Sequence, residues 1–279
     1  MKIGILGLGL IGGSLGYDLR SQGHYVLGVS RRDSTCQRAI ALGSIDEASC
    51  NLSLLAAADI VFICTPIGLI VPQFKQLINH LSAATIVTDV GSVKAPIVKA
   101  LAPLWENFVG GHPMAGTTDS GIEAAQRNLF VGRPYVLTPD ATTPTTAIAI
   151  LEEIVRSLGA NIYYCQPEQH DRAVSWISHL PVMVSGSLIA ACMGETDPQV
   201  LQLAKNLAST GFRDTSRVGG GNPELGVMMA QYNRQALLRS LQQYRHNLDE
   251  FINLIEQENW AALEQKFQSN QKVRPEFVE

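Results

Sequence analysis

The chain has 279 residues, 21 Lys and Arg against 25 Asp and Glu, a formal net charge of -4 and a pI near 5.9. An acidic balance without a basic run argues against nucleic acid or an anionic membrane as partner and points to a small solute. The length fits two domains. Five cysteines, Cys36, Cys50, Cys64, Cys165 and Cys192, lack C-x-x-C spacing and leave an odd one, which suits a reducing cytoplasmic setting and no bound metal.

Met1 to Ile5 is an apolar run, and Gly7, Gly9 and Gly12 follow at G-x-G-x-x-G spacing, with Leu8, Leu10 and Ile11 between them, before a helical pattern from Ser14. In this strand-to-helix setting the first glycine permits a sharp turn and the second a close approach of backbone to a pyrophosphate. The third permits tight packing of a helix start whose N–H groups face the anion. A dinucleotide is the expected ligand. The run could be misread as a secretory signal, but Asp18 and Arg20 interrupt it, and no other stretch reaches the ~18 uninterrupted apolar residues of a membrane span.

The second strand, Tyr25 to Val29, ends in Ser30-Arg31-Arg32, with Asp33 only afterwards. A carboxylate at the strand end would bind a ribose 2′-hydroxyl; a hydroxyl followed by two guanidinium groups favours a 2′-phosphate, hence NADP. Two solvated arginines are the competing reading. Further strand-like runs occur at Ile60 to Cys64, Ile86 to Val90, Phe108 to Gly111 and Tyr135 to Leu137, then a helix over Thr142 to Gly159 and a short strand over Asn161 to Cys165. Strands alternating with helices predict an α/β fold with a Rossmann-type, doubly wound, mainly parallel sheet. Its ligand loops lie at the carboxyl ends of strands, where Cys64-Thr65-Pro66, Asp89 to Ser92 and Gly111-His112-Pro113 fall.

From about Pro167 helical periodicity replaces strands, which sets a boundary between a domain over 1–166 and an all-α domain over 167–279. Asp197-Pro198 and Asn222-Pro223 each read as an N-cap followed by proline at the first helical position, with an irregular loop over Thr210 to Gly221 between those helices. Leu237, Leu241, Tyr244, Leu248, Phe251 and Ile255 recur at spacings of four and three. Such a seam wants a long partner helix, and a homodimer is preferred over packing within the domain.

His112 stands in Gly110-Gly111-His112-Pro113-Met114-Ala115-Gly116. A histidine at a strand end opposite the dinucleotide turn is placed to accept a proton near neutral pH. The chain resembles the prephenate/arogenate dehydrogenase family over nearly its whole length. The resemblance rests on the glycine fingerprint, Asp89 to Lys94, Gly111 to Gly116, Leu129-Phe130 through Pro139, His170-Asp171-Arg172, Ser178-His179-Leu180-Pro181 and Gly211 to Arg217.

That resemblance implies oxidative decarboxylation of arogenate or prephenate toward tyrosine, with hydride passed to NADP. It makes His112 the catalytic histidine on the ring C4 hydroxyl and Ser92 a serine beside the nicotinamide that orients it. Arg217 becomes the arginine that pairs with a substrate carboxylate, and Asp214 sits near enough to orient that arginine. His179 is either a pocket residue or a core histidine, and His170, Asp171 and Arg172 tie the domains together or form a structural ion pair. The sequence departs from the family pattern in its glycine-rich Val218 to Leu225. Other readings of the architecture are a 3-hydroxyacid dehydrogenase, an imine reductase or a non-catalytic NADP-binding sensor. The two enzymes would more naturally draw an acid from the helical half.

Overall fold

The computed structural model describes residues 1–117 and 119–278. Its sheet is built from β1 (Lys2–Leu6), β2 (Tyr25–Val29), β3 (Glu47–Ser49), β4 (Ile60–Ile63), β5 (Ile86–Asp89), β6 (Phe108–Pro113), β7 (Pro134–Pro139) and β8 (Asn161–Tyr164) in the order 3-2-1-4-5-6-7-8. All pairings are parallel except β6 with β7. The order reverses between β1 and β4, so a crevice opens beyond their carboxyl ends, where ligands of such sheets bind. His112, at the carboxyl end of β6, lies on that same edge because β6 runs parallel to β5.

The intervening helices are α1 (Leu10–Ser21), α2 (Asp33–Ala41), α3 (Ile67–Leu77), α4 (Ala95–Leu101) and α5 (Thr145–Ser157). Alternation along the strands divides the core between the two faces. Ile60 and Phe62 pack with Leu15, Leu19, Leu151 and Ile154 from α1 and α5; Val61 and Ile63 pack with Phe74, Leu77, Ile97 and Leu101 from α3 and α4. Apolar residues at every position of β4 therefore signal a sheet covered on both sides. Full burial of a side chain such as Phe62 contributes about 1.5–3 kcal/mol.

After β8 every described element is helical: α6 (Pro167–Val174), a π-turn (Ser175–His179), α7 (Leu180–Met193), α8 (Pro198–Leu207), α9 (Thr210–Ser216), a 3-10 turn (Arg217–Gly220), α10 (Pro223–Tyr232), α11 (Arg234–Glu256) and α12 (Trp260–Val273). Packing divides the chain elsewhere, into a compact unit of Met1–Asn233 and a second from Arg234 onward. Within the second, Phe251 of α11 and Phe267 of α12 meet with ring centroids 5.4 Å apart, beside a Lys266–Glu250 pair.

Three local expectations change. The first helix starts at Leu10 rather than Ser14, with Gly9 as its N-cap, so the glycine fingerprint itself forms the first turn. The edge strand β3 has only three residues and no apolar alternation to reveal it. Thr210 to Gly221 is not irregular. Ser185 Oγ donates to the Thr215 carbonyl at 2.5 Å, and Gly219 approaches so closely that a Cβ there would lie 2.4 Å from Gly186 N. Docking on α7 through small residues thus orders a segment whose own propensity is weak. Asp197 and Asn222 cap as read: their side chains accept from the Gln199 and Glu224 N–H at 2.8 Å each.

Candidate active site

The turn after β1 has the shape its glycines require. Gly7 adopts φ +107°, and a Cβ there would stand 2.7 Å from the Cys64 carbonyl oxygen. A Cβ on Gly12 would come within 2.1 Å of the Gly7 oxygen, whereas one on Gly9 would meet no protein atom within 4 Å. Two glycines are thus needed for packing. The open approach at the third is what a pyrophosphate over the amino end of α1 needs, with Leu10 and Ile11 supplying the first helical N–H groups and no acidic residue in that turn. Leu8 is a core residue, 5% exposed. Cys64, Thr65 and Pro66 form the facing wall after β4, with Pro66 capping α3. These residues fit a dinucleotide.

At the end of β2, Ser30 donates its N–H to the Ser49 carbonyl at 3.2 Å. Arg31 and Arg32 are exposed, and no ion pair engages them among the described residues. Asp33 opens α2, and its carboxylate accepts from Gln37 Nε2 at 2.6 Å.

His112 is 8% exposed and sits at the end of a hydrogen-bond chain. Its Nδ1 lies 2.8 Å from His170 Nε2, and His170 Nδ1 lies 2.8 Å from Asp171 Oδ1. Asp171 also accepts from the backbone N–H of Lys94 at 2.6 Å and of Ala95 at 2.9 Å, at the start of α4. The Lys94 ammonium, wholly buried, pairs with the equally buried Asp89 carboxylate and donates to the Gly111 carbonyl at 2.6 Å. Asp89 in turn accepts from the Gly91 N–H at 2.9 Å and the Gly111 N–H at 3.3 Å. The residue before His112 is therefore held at both its N–H and its C=O. Burial pushes the His112 imidazole well below its usual pKa, and the buried Lys94 ammonium pushes the same way. A neutral imidazole results, able to accept a proton.

Ser92 lies half-buried in the β5–α4 loop, and the hydrogen-bond partner of His112 among the described residues is His170, not Ser92. His179 is fully buried, its Nδ1 3.1 Å from Asn233 Nδ2, which also donates to the Asp171 carbonyl at 2.7 Å. Its Nε2 has no partner among the described residues, and burial, the largest cause, draws its pKa down to about 4. Arg217 is exposed at the start of the 3-10 turn. Asp214 pairs with Arg213 at 3.0 Å and not with Arg217. The exposed helical turn that replaces the expected loop carries these carboxylate and guanidinium groups, and adjacency decides the pairing. The His170–Asp171 dyad and the buried Lys94 were the residues least legible as site components. Their signal was a His-Asp pair at a helix start and a lysine inside an apolar run.

A nucleotide-binding sheet with a buried neutral histidine at its carboxyl edge defines a nicotinamide-dependent oxidoreductase. Family models for the prephenate dehydrogenase nucleotide-binding domain and dimerization domain match residues 15–164 and 166–269. Prephenate dehydrogenase of Bacillus subtilis is 31% identical over 97% of this chain and 74% of its own. The crystal structure of Synechocystis arogenate dehydrogenase is 56% identical, covers 100% of both chains and superposes with a TM-score of 0.91. Prephenate dehydrogenase from A. aeolicus, solved with hydroxyphenyl propionate and NAD+, is 28% identical over 99% of this chain and 98% of its own, with a TM-score of 0.93. The chain belongs to the prephenate/arogenate dehydrogenase family.

The cradle separates two substitutions that look alike in sequence. Gly12→Ala is expected to destabilise the fold by about 1–3 kcal/mol in urea titrations, because backbone must yield to the new methyl. Gly9→Ala is expected to cost less than about 1 kcal/mol, as a change of N-cap residue, yet to weaken dinucleotide binding in a fluorescence titration.

Proposed function

We propose that this enzyme oxidatively decarboxylates arogenate in preference to prephenate, using NADP, with His112 as the general base. The observation that carries the base assignment is a buried histidine on the ligand edge of the sheet, bonded to His170 and preceded by Gly111, which Lys94 and Asp89 hold. A bound nicotinamide accepts the hydride from C4 of the ring. His112 takes the C4 hydroxyl proton, so the oxygen becomes a carbonyl. The bond to the ring carboxylate then breaks as carbon dioxide leaves, and its electron pair enters the ring. Aromatisation makes the sequence irreversible, and the resulting phenolate is reprotonated. In this reading Ser92 lines the cofactor side of the pocket, Arg217 binds a substrate carboxylate and His179 lends its unpartnered Nε2 to the substrate side. Asp214, paired with Arg213, has no part in orienting Arg217 here.

Preference for arogenate is supported by the 56% identity to a protein named arogenate dehydrogenase. Preference for NADP is supported by Ser30-Arg31-Arg32 at the end of β2, where no carboxylate competes with a 2′-phosphate; the NAD+ complex belongs to a relative half as similar. Steady-state kinetics with both substrates and both cofactors test this directly. Arg31→Ala is expected to weaken NADP by roughly 1.5 to 3 kcal/mol, the worth of a charge-assisted hydrogen bond, while leaving NAD unchanged. Equal losses for both cofactors would count against the phosphate contact.

His112→Asn is expected to lower kcat by about 100-fold or more with little change in KM. Protonation inactivates a base, so kcat/KM falls on the acid side of its pKa. Because burial lowers that pKa in the folded enzyme, the acid limb should lie below the ordinary histidine value of about 6.5, and the profile should be flat from there to pH 8. An acid limb that persists in His112→Asn would assign it to another group.

The same reading includes a homodimer. Leu248, Ile252 and Ile255 of α11 and Trp260 and Phe267 of α12 are each between 46% and 57% exposed, an apolar surface that a second copy of the chain would cover. The continuous helical run Pro167–Met193 is long and apolar enough to cross a membrane by length and composition. Its buried and paired His170 and Asp171 fit a helix packed on protein instead. Light scattering should give twice 30.2 kDa, and charged residues at Leu241 and Leu248 should yield monomer or unfolded chain; a 30.2 kDa wild type would exclude the dimer.

A further inference from the structure

The polarity of the chain from Asp171 to His112 follows from counting donors. A carboxylate only accepts hydrogen bonds, and Asp171 already accepts from two backbone N–H groups, at Lys94 and Ala95. Its contact with His170 Nδ1 at 2.8 Å therefore requires a proton on that nitrogen. Neutral His170 then presents a lone pair at Nε2, and this atom faces His112 Nδ1 at 2.8 Å. One of the two must donate, and only His112 can.

We propose that Asp171 and His170 are positioning residues that hold His112 as its Nδ1–H tautomer, leaving Nε2 unprotonated to receive the substrate proton. This rests on the reading of His112 as the base. The opposite polarity needs either a His170 lone pair against the carboxylate or a second buried cation. That cation would face Asp171 on one side, but it would add positive charge beside the wholly buried Lys94 ammonium, whose carboxylate partner among the described residues is Asp89. His179, from the π-turn, adds no compensating negative charge. When His112 takes the proton at Nε2, its Nδ1–H remains on His170. The new positive charge is then stabilised through His170 by Asp171, which stays ionised, as a carboxylate stabilises imidazolium in the serine hydrolase triad. The dyad is rigid because Asp171 caps α4 and His170 is only 2% exposed, which is the kind of support a base needs to hold its orientation.

Two-bond 15N–1H spectra of the full-length protein labelled at histidine distinguish the tautomers. Wild-type His112 should appear as Nδ1–H above pH 7, and an Nε2–H pattern there would overturn the proposal. His170→Phe keeps the bulk and removes the acceptor; it should leave His112 as a tautomer mixture. It should also lower kcat by about 10-fold or more with KM within about twofold. His170→Gln returns an acceptor and should recover kcat to within about threefold of wild type. Wild-type kcat in His170→Phe, alongside an inactive His112→Asn, would reject the dyad while sparing the base. Failure of the wild type to turn over either ring acid would instead reject the proposed function, and the tautomer spectrum would still decide the dyad. If His170→Phe does not fold, that wild-type spectrum decides alone.

Discussion

One buried carboxylate organises this molecule. Asp171 accepts from two N–H groups that open α4 and from the ring of its neighbour His170, while its own carbonyl accepts from Asn233. Hydrogen bonds to a charged group contribute about 1.5–3 kcal/mol each, and the two backbone donors would be left unsatisfied without it. Asp171 also fixes the backbone of Lys94, whose ammonium reaches across to Asp89 and the Gly111 carbonyl. The position of His112 is thus set from the helical half and from the sheet at once. A buried ion pair such as Lys94–Asp89 is poor evidence for stability, since desolvation offsets its attraction, but losing one partner leaves a stranded charge at a cost of about 3–5 kcal/mol. Its use here is geometric: it fixes a strand end where the chemistry needs an exact backbone.

The two halves of the site are made by opposite means. The dinucleotide turn works by leaving things out: no side chain at Gly7, Gly9 or Gly12, and no acid in the first turn of α1. The base works by accumulation, with Asp89, Lys94, His170 and Asp171 from the sheet and two helices converging behind one imidazole. Burial then keeps that imidazole neutral, so the desolvation that would penalise a catalytic cation prepares a catalytic base.

The sheet could be read from sequence because its signals are local and periodic. Ile60 to Ile63 announces a covered strand, and the glycines after Leu6 announce the turn. His112 stood out for its glycine neighbours. The dyad did not, because the 58 residues separating His112 from His170 carry no periodic mark of their contact. Nor did the partner of Asp214, which depended on Thr210 to Gly220 becoming helical through docking on α7. In the glycine-rich segment around Gly219 low propensity reads as loop, and only the contact with Ser185 and Gly186 shows that its lack of bulk is a packing requirement.

The π-turn at Ser175–His179 carries a constraint of a different kind. An α-helix advances roughly 100° per residue, so nine positions of regular helix would set His170 and His179 on opposite faces. The wider turn holds about one extra residue and swings His179 back by about a quarter of a revolution, to where Asn233 bridges it to Asp171. What must be kept in this stretch is therefore its residue count as well as His179 itself: a single-codon deletion would rephase two histidines and dismantle the interior wiring between them.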